Sequence, residues 1–200
     1  MRNKIINSLL ALGAFLMLLT ACQNVKKTQL VLFESLSFNM SLKSFEEVFG
    51  EASEVVEETE MAYRDTWRAE DPYFYKTGRL FYDYENIALN GYTGRARFTF
   101  SKSHRLEEAT AHIPVASKGE QYVVLNNLSH TIKKEIEALP NFQSVTTETV
   151  GLYDDGYRYK VKLKGQSREF WIDVYPTEDE DAKEIEDKKY TIRVDQFRMH

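Results

Sequence analysis

The sequence predicts an α+β fold of tandem helix-plus-antiparallel-sheet units, with the helices covering one sheet face. Three observations predict it. Two stretches carry apolar residues at helical spacing, and strand-like segments follow each of them. Several of those segments alternate apolar and polar residues, which marks a sheet covered on one face and wet on the other. Stop and turn signals (Gly50, Asn90-Gly91, Pro140-Asn141, Asp155-Gly156) separate the elements. Helices packed on antiparallel strands in this order belong to the α+β class.

The chain starts with a segment that is not part of that fold. Arg2 and Lys4 form a positive start, an apolar run follows from Leu9 to Leu19, and Leu19-Thr20-Ala21-Cys22 closes it. This is the layout of an export signal. The apolar run is short for a membrane span and lacks a stop-transfer flank. The last four residues resemble the lipobox of bacterial lipoproteins. The resemblance implies cleavage before Cys22 and transfer of a diacylglyceryl group to its thiol. Two or three acyl chains anchor stably, because each buried methylene contributes about 0.8 kcal/mol. The other reading is an ordinary cleaved leader followed by a chance cysteine. On the lipobox reading residues 1–21 are the signal peptide, and 22–29 are the lipidated cysteine and its tether. Family knowledge of an Asp after the cysteine as an inner-membrane signal makes Gln23 imply the outer membrane of a Gram-negative cell. In a Gram-positive cell the anchor is the cell membrane. The polar tether, Gln23 to Gln29, reaches at most roughly 3.3–3.6 Å per residue, so the folded part sits close to the headgroups.

The first half, residues 30–116, opens with Leu30-Val31-Leu32-Phe33, an apolar run expected as a strand. In Ser41 to Gly50 the residues Leu42, Phe45, Val48 and Phe49 fall on one helical face. Ser41 or Ser44 caps this helix, Ser44 with Glu47 fits a capping box, and Gly50 stops it. Strands are expected at Met61 to Trp67, Arg79 to Glu85, Arg95 to Ser101 and Leu106 to Ile113. The third alternates most cleanly, with Ala96, Phe98 and Phe100 opposite Arg95, Arg97, Thr99 and Ser101.

The second half, residues 117–200, repeats that order. Glu120 to Leu139 reads as a long helix, with Tyr122, Leu125, Leu128, Ile132, Ile136 and Leu139 on one face. Strands are expected at Phe142 to Val150, Tyr157 to Lys164, Glu169 to Tyr175 and Tyr190 to Met199, with Asp154-Asp155-Gly156 as a hairpin turn. No residue-level repeat links the halves.

The helix-stop-strand order, carried by Ser44-Phe45-Glu46-Glu47-Val48-Phe49-Gly50, resembles two families. One is the outer-membrane assembly lipoproteins of the SmpA/OmlA type. The other is the beta-lactamase inhibitor protein, with its tandem helix-plus-four-strand units. Those families show Gly-x-Pro after the helix, and here Gly50-Glu51-Ala52 lacks the proline. The resemblance is architectural, and no functional residue is carried over from it.

Composition narrows the chemistry. A formal net charge of -5 over 200 residues argues against nucleic acid as a partner. A single cysteine makes no internal disulfide. No nucleophile elbow, phosphate loop or dinucleotide turn is present, so neither a catalytic residue nor a cofactor site is expected. His104, His112, His130 and His200 lack metal-ligand spacing and read as edge or surface histidines. Glu178-Asp179-Glu180-Asp181 has no turn glycine for calcium and reads as a solvated loop.

The most informative constellation lies in the second half. Tyr157, Tyr159, Val161 and Leu163 point one way, and Arg158, Lys160, Lys162 and Lys164 the other. Phe170, Ile172 and Val174 likewise oppose Glu169, Trp171, Asp173 and Tyr175. The expected binding face is therefore Arg158, Lys160, Lys162, Trp171 and Tyr175. The plainer reading is cross-strand pairing of Lys160 or Lys162 with Glu169 or Asp173. The functional expectation is a membrane-anchored, extracytoplasmic lipoprotein acting as a non-catalytic protein-binding module. Its partners are the membrane, through lipid on Cys22, and an envelope protein. The alternatives are a cell-envelope hydrolase, which needs two carboxylates across a cleft, and a small-ligand carrier, which needs an apolar cavity between the halves.

Overall fold

Strand alternation carries the architecture. The computed structural model describes residues 30–33, 35–63, 72–150, 155–178 and 190–198. The elements run α1 (Leu42–Phe49), β1 (Glu54–Tyr63), β2 (Pro72–Leu89), β3 (Tyr92–Phe100) and β4 (Leu106–Val115). Then come α2 (Lys118–Ala138), β5 (Phe142–Val150), β6 (Gly156–Leu163), β7 (Phe170–Glu178) and β8 (Tyr190–Arg198). All these strands join one antiparallel sheet in the order β1-β2-β3-β4-β8-β7-β6-β5.

This overturns the expected α+β class with its tandem units. The fold is sheet-dominated, a single 8-stranded sheet with two helices among the described residues. The physical reason lies at the seam. β4 and β8 pair antiparallel from Glu108↔Phe197 to Val115↔Tyr190. Their apolar alternations are in phase, so Ala109, Ala111 and Ile113 continue into Ile192 and Val194 on one buried face. Two separate sheets would leave both strands as open edges with unpaired backbone groups.

β5 covers the range read from its sequence, and β3, β4, β6, β7 and β8 lie within a few residues of theirs. β2 is longer than expected and β1 begins earlier; residues 64–67 of the expected first strand lie outside the described residues. The Leu30–Phe33 run is not a strand. It belongs to an irregular, buried strap on the helix side of the sheet, with Leu30, Val31, Leu32, Phe33, Leu36, Phe38 and Met40 in the core. The ring of Phe33 packs edge-on against Phe98 of β3 at 4.9 Å, and that of Phe38 lies 5.8 Å from Phe170 of β7. Between them, the buried Val31 N–H donates to Oε1 of Gln196 on β8 at 2.9 Å. An apolar run can thus be core without pairing, provided its backbone groups find acceptors.

α1 is capped by Ser41, whose Oγ accepts from the Ser44 N–H at 3.2 Å. It ends at Gly50, with φ 85°, whose N–H returns to the Glu46 carbonyl. Phe45 is fully buried and touches the rings of Phe49, Tyr82, Tyr84, Phe98 and Phe100. Val48 faces solvent instead of the core. α2 packs across β4 to β8 through Val124, Leu125, Leu128, Ile132 and Ile136. Tyr122, expected on that buried face, is 46% exposed; Gln121 turns inward in its place and donates to the Thr177 and Thr191 carbonyls.

Candidate functional site

The helices and the strap lie on one face of the sheet. The other face has no covering layer among the described residues, and strand register arranges its side chains in transverse rows. One row crosses every strand: Glu148, Arg158, Asp173, Asp195, Thr110, Arg97, Asp83 and Glu54. Most of its charges are locked in place. Arg97 grips Asp83 bidentately at 2.7 Å through Nε and Nη2. Arg158 grips Asp173 in the same way at 2.8 and 2.6 Å. Asp195 is buried next to Asp173, an unfavourable like-charged pairing. Hydrogen bonds relieve it: Thr110 Oγ1 donates to Asp195 at 2.7 Å, Tyr175 Oη at 2.8 Å and Arg193 Nε at 3.0 Å.

A second row holds Thr146, Lys160, Trp171, Phe197, Glu108, Thr99, Phe81 and Val56. Trp171 lies between two cations, with the Arg158 guanidinium 4.5 Å and the Lys160 ammonium 4.9 Å from its ring centroid. Phe197 meets the same ring edge-on at 5.8 Å. Burial, followed by the nearby Asp195, raises the pKa of Glu108.

The residues expected to form a binding face, Arg158, Lys160, Lys162, Trp171 and Tyr175, all lie on this open side. They differ in availability. Arg158 is held by Asp173, and Lys160 pairs with Glu148 at 2.6 Å rather than with Glu169 or Asp173. Tyr175 is tied to Asp195, and its pKa is raised by burial and by that carboxylate. Lys162 is exposed.

A third row lay outside the expected face. Tyr175, Arg193, His112 and Arg95 are consecutive partners on β7, β8, β4 and β3. Arg193, His112 and Arg95 border a cleft of about 650 Å³ whose walls include Glu85, Thr93, Pro114, Val115 and Tyr190. An adjoining cleft of about 550 Å³ shares Glu85, Arg95, His112 and Arg193, and runs on to Asp83 and Glu54. Close strand approach shapes the first cleft: a Cβ on Gly94 would lie 2.3 Å from the His112 carbonyl oxygen. The pKa of His112 is lowered to about 4 by burial first, then by Arg95 and Arg193, with a smaller contribution from Arg97. Its imidazole is therefore neutral near pH 7. The alternation of Arg95 and Arg97 was visible in the sequence. Their meeting with Arg193 required the β4–β8 pairing.

Among the described residues no group of three or more His, Cys, Asp and Glu side chains is arranged to hold a metal ion. Among them, too, no helix is long and apolar enough to cross a membrane. Cys22, the expected leader and tether, His200 and Asp179 to Asp181 lie outside the described residues. Comparison with known proteins returned no matching family model, no matching curated protein and no matching solved structure.

Proposed function

We propose that the protein is a bacterial lipoprotein, held at an extracytoplasmic membrane surface by lipid on Cys22, whose folded part is a non-catalytic protein-binding module. The charged start, the apolar run and the lipobox-like Leu19-Thr20-Ala21-Cys22 support the anchor. The docking reading rests on one observation: a sheet face without a covering layer among the described residues carries Trp171, Tyr175 and Phe197 among charges already fixed by pairing. Rigid aromatic side chains set among oriented charges are what protein interfaces use as anchors.

The alternatives receive less support. A hydrolase needs carboxylates free to act across a cleft. On this face Asp83, Asp173 and Asp195 are each committed to an arginine. A carrier needs an apolar cavity between the halves, and the strap fills that region with Phe33 and Phe38. The test is affinity capture of the tethered protein from its own envelope, with intact-mass analysis. Acyl mass on Cys22 and a stable partner are expected; Cys22→Ala should lose the acyl mass, and Trp171→Ala with Tyr175→Ala should lose the partner. Full retention of that partner by the double variant would refute the docking face.

A further inference from the structure

The arginines of the open face are not equivalent. Arg97 and Arg158 spend their forks on Asp83 and Asp173. Arg95 is exposed and makes no hydrogen bond or ion pair with a described residue. Arg193 gives Asp195 its Nε only, and its terminal nitrogens make no bond to a described residue. Asp195, which also accepts from Thr110 and Tyr175, acts as a positioning residue for that second fork. Arg95 and Arg193 are the cross-strand partners of His112 on its two sides, with neighbouring strands about 4.8 Å apart. Of the acids on the rim of the cleft, Glu178 pairs with Lys118 at 3.5 Å.

Two guanidinium groups with unspent donors beside an imidazole match a carboxylate, which accepts bidentately from an arginine. Pro114, Val115 and Tyr190 supply apolar wall for the atoms on either side of it. Resting on the docking reading above, we propose that Arg95, His112 and Arg193 form a carboxylate-binding site that takes an acidic side chain of the partner protein. Arg95 supplies the fork, Arg193 the second cation, and the neutral His112 one N–H. The bound charge favours protonation of His112, so affinity rises as the pH falls below neutral. Arg95 and Arg97 on β3, Arg193 and Asp195 on β8, Glu85 on β2 and Glu178 on β7 are the charged groups around that imidazole and the cleft wall.

The test uses the full chain in detergent and a fluorescein-labelled hexaglutamate peptide, followed by anisotropy. Hexaglutamine, hexalysine and inorganic phosphate serve as comparison probes. Hexaglutamate should bind in a salt-sensitive manner, and Arg95→Ala should weaken it by about tenfold or more. Arg95→Lys should restore part of the loss, because the point charge remains without the fork. The His112 ring resonances should shift on binding, and their titration midpoint should rise from about 4. Equal binding of hexaglutamine, or unchanged affinity in Arg95→Ala, overturns the site. Displacement of the peptide by phosphate at equal concentration overturns the peptide assignment. Trp171→Ala alone, which leaves Tyr175 on Asp195, separates the two claims. If that variant keeps the envelope partner while hexaglutamate binding still needs Arg95, the docking face fails and the carboxylate site stands. If it loses the partner and hexaglutamate never binds, the site fails alone.

Discussion

His112 illustrates how one side chain registers its whole neighbourhood. Its own strand offers it nothing unusual; burial and the arginines of β3 and β8 hold its pKa near 4, against the opposing pull of Asp195. In the unfolded chain the same group protonates near 6.5. Between those values the unfolded state binds the additional proton, so this group makes stability fall as the pH drops from about 6.5 to about 4. Its contribution is fully present above 6.5. Melting temperatures measured from pH 7.5 to 4.5 should therefore decline less steeply in His112→Gln than in the wild type. Parallel curves would show that His112 titrates in the fold as it does in water.

At the scale of the element, the strap has the most to explain. Residues Leu30 to Phe33 carry no strand pairing, and their burial exposes a backbone N–H to an apolar interior. Gln196, itself fully buried on β8, supplies the acceptor for Val31. Gln196→Ala leaves that donor unsatisfied and should cost about 1–3 kcal/mol in urea unfolding. No change would mean that the strap contributes little to the native state. The regular elements were easier to read. The spacing of Phe45, Ser41 and Gly50 defined α1 through local geometry and caps, and strict alternation revealed β3 and β6. Leu30 to Phe33 was misread because an apolar run has the same composition in a strand and in a buried loop. Tyr122 was misread because its spacing fitted the helical stripe, whereas tertiary packing turned Gln121 inward to reach two strand-end carbonyls.

At the scale of the whole molecule, the β4–β8 seam makes the halves one folding unit. A core that passes from Ala111 and Ile113 to Val194 and Ile192 without interruption should melt as one. Denaturant unfolding followed by tryptophan fluorescence and by far-ultraviolet circular dichroism should give coincident transitions. Two separated transitions would indicate that the seam is weaker than the meanders it joins.

The sequence by itself determined the order of the helices and strands from α1 onward, and the split of Arg158, Lys160, Trp171 and Tyr175 away from the apolar set. These are local properties: periodicity, caps and turn residues act within a few positions along the chain. Only the tertiary structure decided that the strands form a single sheet, that the strap is core, and that Arg95, His112 and Arg193 stand side by side. Those facts depend on which edge strand meets which. Pairing between β4 and β8 joins segments far apart in sequence, and no local pattern in either segment names its neighbour.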